Sequence, residues 1–224
     1  KYRVTAVELG AQSSNDKVLA MNRRGHTRED IFRSARLLKE RGFELGLQMM
    51  TGLYGSNDED SIGTARDIIS LLPDTARIYP TVVIENTELA ELYRNGEYRP
   101  QTPEEAAVLC AKILPMFERA GIKVIRLGLH SGGDVEGSFV AGAYHPALRE
   151  MCEGHIYFDI INRALSGKEK GKYIIYVAPR EVSKASGQRR CNIEKLRELG
   201  YECRIKENAA LSARDITLEK VNLL

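Results

Sequence analysis

The sequence predicts an α/β protein: parallel strands alternating with helices, followed by a small basic α/β module. Three observations carry this. Strand-like runs alternate with capped amphipathic helices through the first 130 residues. The strand-to-strand period of about 30–45 residues demands right-handed crossovers rather than hairpins. Residues 168–206 hold eleven Lys/Arg against five Glu in a chain whose overall net charge is +2.

The elements follow in order. Val4–Gly10 alternates and is rich in β-branched residues, so it reads as a strand. Thr27-Arg28-Glu29-Asp30 has the form of a capping box. Behind it Ile31, Ala35 and Leu38 share one helical face, and Gly42 supplies the stop. Phe43–Met50 is the second strand. Ser56-Asn57-Asp58-Glu59 opens a second helix, with Ile62, Ala65, Ile69 and Leu72 as its expected buried stripe. Ala76–Ile84 is read as a third strand running through Pro80, which marks an edge or a bend. A short helix over 88–95 follows. Thr102-Pro103-Glu104-Glu105 joins a capping box to a proline at the first helical position. Its helix presents Ala106, Leu109, Ile113 and Phe117 as the apolar face and ends at Gly121. Ile122–Leu129 is the fourth strand.

After Leu129 the texture changes. The glycine-rich stretch 130–142 reads as a loop. His145–Leu165 reads as a helix with Leu148, Met151, His155 and Ile156 on one side. Tyr173–Ala178 (strand), Asn192–Leu199 (helix) and Tyr201–Lys206 (strand) form the appendage. The expected division is therefore 1–130, 131–166 and 167–224.

Composition excludes several classes. The charged fraction of 29% and hydrophobic fraction of 43% are ordinary for a globular protein. No apolar run approaches the ~18 residues of a membrane span, so no membrane partner is expected. Cys110, Cys152, Cys191 and Cys203 have no zinc-type or redox-type spacing. Reduced thiols and the lack of a leader-type segment point to the cytoplasm. His130, His145 and His155 lack a ligand-like spacing, so no metal ligand set is assigned. No side chain is assigned a catalytic role: the chain has no P-loop, no GxGxxG and no activated nucleophile.

In folds of parallel strands the ligand sits at the carboxyl ends of the strands. The loops to read are then 10–27, 51–56 and 84–87. They offer Gln12, Arg24 and Gln48, two neutral amides and a guanidinium. Amides suit hydroxyls and Arg suits carboxylates or phosphates. The ligand so inferred is a polar organic cofactor that is held rather than attacked.

Three runs carry a resemblance: Val7-Glu8-Leu9-Gly10-Ala11-Gln12-Ser13, Arg23-Arg24-Gly25-His26-Thr27 and Met49-Met50-Thr51-Gly52-Leu53-Tyr54-Gly55. Together, over about Arg3–Arg149, they resemble the second half of a radical S-adenosylmethionine barrel. The subgroup is that of the Elongator catalytic subunit, with oxygen-independent coproporphyrinogen III oxidases more distant. The resemblance implies a partial (β/α) barrel, S-adenosyl-L-methionine, and a 4Fe–4S cluster held by a CxxxCxxC loop. By position, Gln12 resembles the amide at the cofactor ribose and Arg24 the arginine at its methionyl part. Gln48 falls where relatives place an Asp against the ribose, and Gly52 and Leu53 would border the adenine. The chain has no CxxxCxxC. The strand at its very start suggests that earlier strands are missing, so the expectation is the C-terminal portion of such an enzyme. Alone it would form no cluster and have no radical activity, and its partner would be the missing N-terminal part of the same protein.

Residues 182–196 resemble a KH-type segment, with Gly187-Gln188-Arg189-Arg190 in the place of its GxxG turn. That likeness implies RNA contact through Lys184, Gly187, Arg189 and Arg190. With the Elongator resemblance it makes RNA, and tRNA in particular, the expected substrate. The alternatives are a non-enzymatic RNA-binding module on a degenerate barrel and a porphyrin-type or other small-molecule radical enzyme. No acetyltransferase-like segment is read in the chain.

Overall fold

The computed structural model describes residues 3–129 and 137–221. The chain forms two compact units, Lys1–Leu148 and Arg149–Leu224. In the first, β1 (Ala6–Gln12), β2 (Glu44–Thr51), β3 (Thr75–Pro80) and β5 (Lys123–Leu127) form one sheet in the order β1-β2-β3-β5. Every neighbouring pair in it is parallel. The crossovers are α1 (Asp16–Met21) with α2 (Arg28–Glu40), then α3 (Asp58–Ser70), and finally α4 (Glu88–Arg94) with α5 (Pro103–Arg119).

The helices begin where their caps dictate. Thr27, Asn57 and Thr102 each accept from the backbone N–H three residues on, and Asp30, Asp60 and Glu105 bond back to the cap backbone. These boxes satisfy amides that the first turn leaves orphaned. Helix α1 was not expected from the sequence. It is one and a half turns long, and Asn15 caps it while also donating to Asp60 at 2.7 Å.

One sheet face is apolar and one is polar. Leu45, Leu47, Met49, Ala76, Ile78 and Val124 are buried, as are Ala35, Ala65, Ile68, Leu109, Ile113 and Phe117 from the helices. The opposite parity of the same strands carries Glu8, Gln48, Met50, Arg77 and Tyr79. Parallel sheets are ordinarily apolar on both faces, so this second face is where function is to be sought.

Two expectations are corrected here. The segment 76–84 is two strands, not one. Thr81 donates to the Thr51 carbonyl from its N–H (2.9 Å) and from its hydroxyl (2.7 Å). The chain turns out of the sheet there, and β4 (Val82–Ile84) pairs antiparallel with β6 (Phe139–Gly142). That second strand lies at the end of the glycine-rich stretch expected to be loop. On α3 the buried positions are Ser61, Thr64, Ala65 and Ile68, while Leu72 is 64% exposed. The stripe is shifted because Thr64 turns inward to accept from the Ser14 N–H at 2.9 Å.

The second unit contains α6 (Leu148–Leu165) from Arg149 on, β7 (Gly171–Val177), α7 (Val182–Ser186), a 3-10 turn over Gln188–Arg190, α8 (Cys191–Glu198), β8 (Tyr201–Glu207) and β9 (Ile216–Lys220). Its sheet has the order β8-β7-β9, with β7 parallel to β8 and antiparallel to β9. Tyr157, Ile161 and Leu165 recur every four residues on α6 and pack with Tyr173, Ile175, Val177 and Leu196. On α6, Cys152 and Ile156 are buried, whereas Met151 and His155 are only half-buried. The expected face was therefore one position off in two places. Strand β9 was not anticipated.

Candidate cofactor-binding site

The polar face is built around β2. Gln48 Nε2 donates to Gln12 Oε1 at 3.3 Å, so the two amides meet at the ends of adjacent strands. Gln12 holds a left-handed φ of 62° where the β1–β2 ladder slips register. A non-glycine residue there costs roughly 1–2 kcal/mol, and such strain concentrates at ligand sites. Gly10 makes room for the arrangement: a Cβ at that position would stand 2.3 Å from Gln12 Nε2.

Arg24 arrives from the loop between α1 and α2. Its Nη2 lies 3.0 Å from the thioether sulfur of Met50, two residues beyond Gln48 on β2. The loop is stapled in place. The two ring nitrogens of His26 face the Arg24 and Ala11 carbonyls at 3.1 and 3.2 Å. Asn22 Nδ2 donates to the Val18 and Tyr54 carbonyls. The neighbouring Arg23 is instead an exposed partner of Glu88.

A cavity of about 350 Å3 opens beside this cluster, walled by Arg24, Met50, Leu53, Tyr54, Thr81 and Ile84. Leu53 itself is buried, 4% exposed. Gly52 has φ +68°, and a Cβ there would meet Gln101 Oε1 at 2.7 Å. The Tyr98 hydroxyl donates to the Gly52 carbonyl at 2.6 Å. Burial pushes the Tyr98 phenol up to about 12, so it stays a donor. Gly52 and Leu53 also border a second cavity, of about 630 Å3, on the side of the α5 N-terminus. Thus Gln12 and Gln48 meet each other, while Arg24 meets Met50 on the same strand as Gln48 and shares its cavity with Leu53 but with neither glutamine. Gly52 shapes the turn and lines the outer cavity, not the one that Arg24 enters.

Sequence reasoning missed a cluster lower on the same face. Arg77 Nε lies 2.8 Å from Glu8 Oε1, and Arg77 Nη1 donates to the Tyr79 hydroxyl at 3.2 Å. The pair bridges β1 and β3 across the intervening β2. It can do so because Gly46 stands between them: a Cβ there would lie 2.7 Å from Glu8 Cγ. The alternation Thr75, Arg77, Tyr79 was visible, but its meeting with Glu8 needs the strand order.

In the second unit, the expected turn sits between two helices, α7 and α8. Gly187 has φ 75° and is packed so closely that a Cβ would meet Cys191 Sγ at 2.7 Å. Arg189 and Arg190 are exposed and both left-handed, at φ 51° and 64°. Lys184 is placed differently. Its Nζ lies 2.6 Å from Glu153 Oε2 and 2.8 Å from Glu181 Oε1. Burial alone would push the Glu153 carboxyl up, but hydrogen bonds from Lys184 and Arg149 outweigh it and hold the carboxyl below its usual range. Glu181 in turn accepts from the Tyr157 hydroxyl at 2.7 Å. Lys184 is thus committed to an internal network.

His145 Nδ1 accepts from the Ala147 N–H. His130 lies outside the described residues. Among the described residues no three His, Cys, Asp or Glu side chains gather as a metal site, and no helix is long and apolar enough to cross a membrane.

A four-stranded parallel sheet with one polar face, two amides on that face and a guanidinium brought in by the α1–α2 loop has the architecture of a partial barrel. The comparisons place that architecture in a family. The family model described as the Radical SAM superfamily matches residues 1–68, and that described as the Radical_SAM C-terminal domain matches 73–157. Together they take in more than half of the chain, which belongs to the radical S-adenosylmethionine superfamily. Within it the chain falls in the Elongator subgroup. It is 38% identical over 125 residues to a tRNA uridine(34) acetyltransferase of Methanocaldococcus infernus, covering 53% of this chain and 23% of that protein. It is 33% identical to human Elongator complex protein 3, covering 51% and 22%. The solved structure of archaeal M. infernus Elp3 with an N-terminal deletion aligns with a TM-score of 0.57 at 28% identity, covering 69% of this chain and 40% of that one. The chain spans about a quarter of the length of the curated relatives it matches.

The superfamily uses S-adenosylmethionine and a 4Fe–4S cluster. The residues present fit the first. Neutral amides suit ribose hydroxyls, a guanidinium suits a carboxylate, and an apolar-walled cavity adjoins them. They do not include the cluster's cysteine loop.

Proposed function

We propose that this chain is the C-terminal portion of a radical S-adenosylmethionine enzyme acting on RNA, with tRNA as its substrate. S-adenosylmethionine would supply radical hydrogen-abstraction chemistry in the complete enzyme, and Gln12, Gln48 and Arg24 are the residues of this chain that would hold it. The chain's own part is to hold and orient. Gln12 and Gln48, preset by their mutual hydrogen bond, offer donor and acceptor to vicinal hydroxyls. Arg24 is parked on a weak sulfur acceptor. A carboxylate outcompetes a thioether for a guanidinium, so Arg24 is poised to exchange Met50 for the cofactor's carboxylate. Leu53 and Met50 supply the apolar wall of the adenine slot.

The amide pair at 3.3 Å is the observation that carries this reading. RNA as substrate is supported by relatives that are tRNA uridine(34) acetyltransferases. A reducing, cytoplasmic setting suits four cysteines that form no disulfide. The expected division at 130 and 166 stands as part of the proposal, with 167–224 as the basic module.

Equilibrium dialysis with labelled S-adenosylhomocysteine tests the cofactor site. Gln12→Leu combined with Arg24→Met should weaken retention at least tenfold against the parent chain. Equal retention would overturn the reading. In the complete enzyme, deoxyadenosine formation should depend on added tRNA; stimulation by a porphyrin instead would favour the small-molecule alternative.

A further inference from the structure

The local charge of +6 over 168–206 is not spread evenly. Five of its cations, Lys172, Arg190, Arg197, Arg204 and Lys206, line one cleft of about 700 Å3 within the second unit, with Glu202 as its one acid. All five are exposed. Glu202 pairs with Lys172 at 3.5 Å. Arg190, Arg197, Arg204 and Lys206 make no ion pair among the described residues. This contrasts with Lys184 nearby, which two carboxylates neutralise.

The cleft is assembled from two periodicities. On α8, Ile193 and Arg197 stand four residues apart and share a stripe, and Arg190 flanks it from the cap position just before the helix. On the sheet, Ile174 of β7 stands beside Arg204 of β8, and Lys206 lies two residues on along the same face. Half-buried Ile174 and Ile193 therefore form an apolar floor between unpaired cations. Exposed positive charge around an aliphatic floor matches a polymer that carries phosphates on one side and flat bases on the other. The volume lies within the roughly 300–1,000 Å3 that holds small organic ligands, room for about one or two nucleotides. A duplex has its bases stacked inside and offers phosphates, 2′-hydroxyls and groove edges but no free base face for the floor.

We propose that this cleft binds single-stranded RNA, with Arg190, Arg197, Arg204 and Lys206 on the phosphates and Ile174 and Ile193 under a base. The proposal deepens the RNA reading above by locating where substrate is held. It depends on that reading for its purpose and not for its chemistry.

Fluorescence anisotropy of the full 224-residue chain with a labelled single-stranded oligoribonucleotide tests it, beside the same sequence as a duplex and with polyglutamate as competitor. Arg197→Glu with Arg204→Glu should weaken single-strand binding at least tenfold and lower the salt slope by about 1.4, at roughly 0.7 per lost phosphate contact. Arg33→Glu with Arg36→Glu on α2 should leave affinity within twofold. Ile193→Ala should weaken binding several-fold with the salt slope unchanged. Far-UV melting of each variant confirms that it is folded. Parent-like affinity of the folded Arg197/Arg204 variant would overturn the proposal, as would duplex binding as tight as single-strand binding. Polyglutamate competing as well as RNA would overturn it in favour of an acidic protein partner. Dialysis of S-adenosylhomocysteine on the same samples reads the cofactor site separately, so failure of the cleft and failure of the cofactor site are distinguishable.

Discussion

Gln48 reaches across from β2 to donate to the Gln12 carboxamide at 3.3 Å, and Gly10 leaves the gap into which that carboxamide folds. Two residues of neutral, hydroxyl-matching chemistry are thereby fixed at the mouth of the sheet without burying a charge.

Gly10→Ala should displace this amide while sparing the fold. The clash is with the far end of a flexible side chain, at 2.3 Å, and Gly10 itself has ordinary backbone geometry. The expected outcome is a stability change under about 1 kcal/mol with a clear loss of S-adenosylhomocysteine retention. Urea unfolding and dialysis on the same preparation check both halves.

Gly46→Ala should behave differently. A Cβ there meets Glu8 Cγ at 2.7 Å and Thr75 Oγ1 at 3.1 Å on a central strand. Overpacking of this kind costs about 1–3 kcal/mol. The Glu8–Arg77 pair is partly exposed and should itself contribute no more than about 1 kcal/mol. Glu8→Gln should therefore lower the urea midpoint less than Gly46→Ala does.

Tyr98→Phe removes the donor to the Gly52 carbonyl and leaves that acceptor short of its partner. A loss of about 1–2 kcal/mol is expected, read as a lower urea midpoint at constant slope. The edge-on packing against Tyr54 at 6.1 Å should survive, since phenylalanine keeps the ring.

The network on Lys184 makes the second unit sensitive to acid. The Glu153 carboxyl is held below its ordinary value in the folded chain. Its contribution is therefore complete above the unfolded glutamate value of about 4.3 and is lost as pH falls through the depressed folded value. Lys184 is raised against its own burial by Glu153 and Glu181, so its contribution persists to alkaline pH and is lost only as pH rises through that raised value. Between these limits stability should be flat with respect to this pair. Glu153→Gln should lower stability near neutrality and shallow the acid branch below about pH 4.5, measured by urea unfolding across pH. An acid branch of unchanged slope would remove Glu153 from the network's titration.

Much of this fold could be read locally. Thr27, Thr102 and the Ser56–Glu59 run marked helix starts because a capping box needs only four consecutive residues. Gly42 and Gly121 marked stops because each carries a left-handed φ. What escaped was set by partners far away in sequence. Helix α1 depends on Asn15 meeting Asp60, the break at Thr81 on the Thr51 carbonyl, and the inward turn of Thr64 on Ser14. The site divides in the same way. Gln12 and Gln48 could be picked out near the ends of β1 and β2 and Arg24 in the loop after α1, and their joint role stays a proposal. Arg77 was not, because its role appears only when Gly46 lets Glu8 cross a strand. Lys184 and Arg190 look alike in sequence, yet Glu153, thirty-one positions before Lys184, neutralises only the first.

The most direct test follows the two amides themselves. Side-chain 15N–1H NMR of Gln12 and Gln48, assigned by single Gln→Leu variants, should show both NH2 pairs shifting together with the Met50 methyl as S-adenosylhomocysteine is added. If these three groups stay unperturbed while residues on another surface respond, the strand-end amides do not hold the nucleoside, and the cofactor site proposed for this chain is wrong.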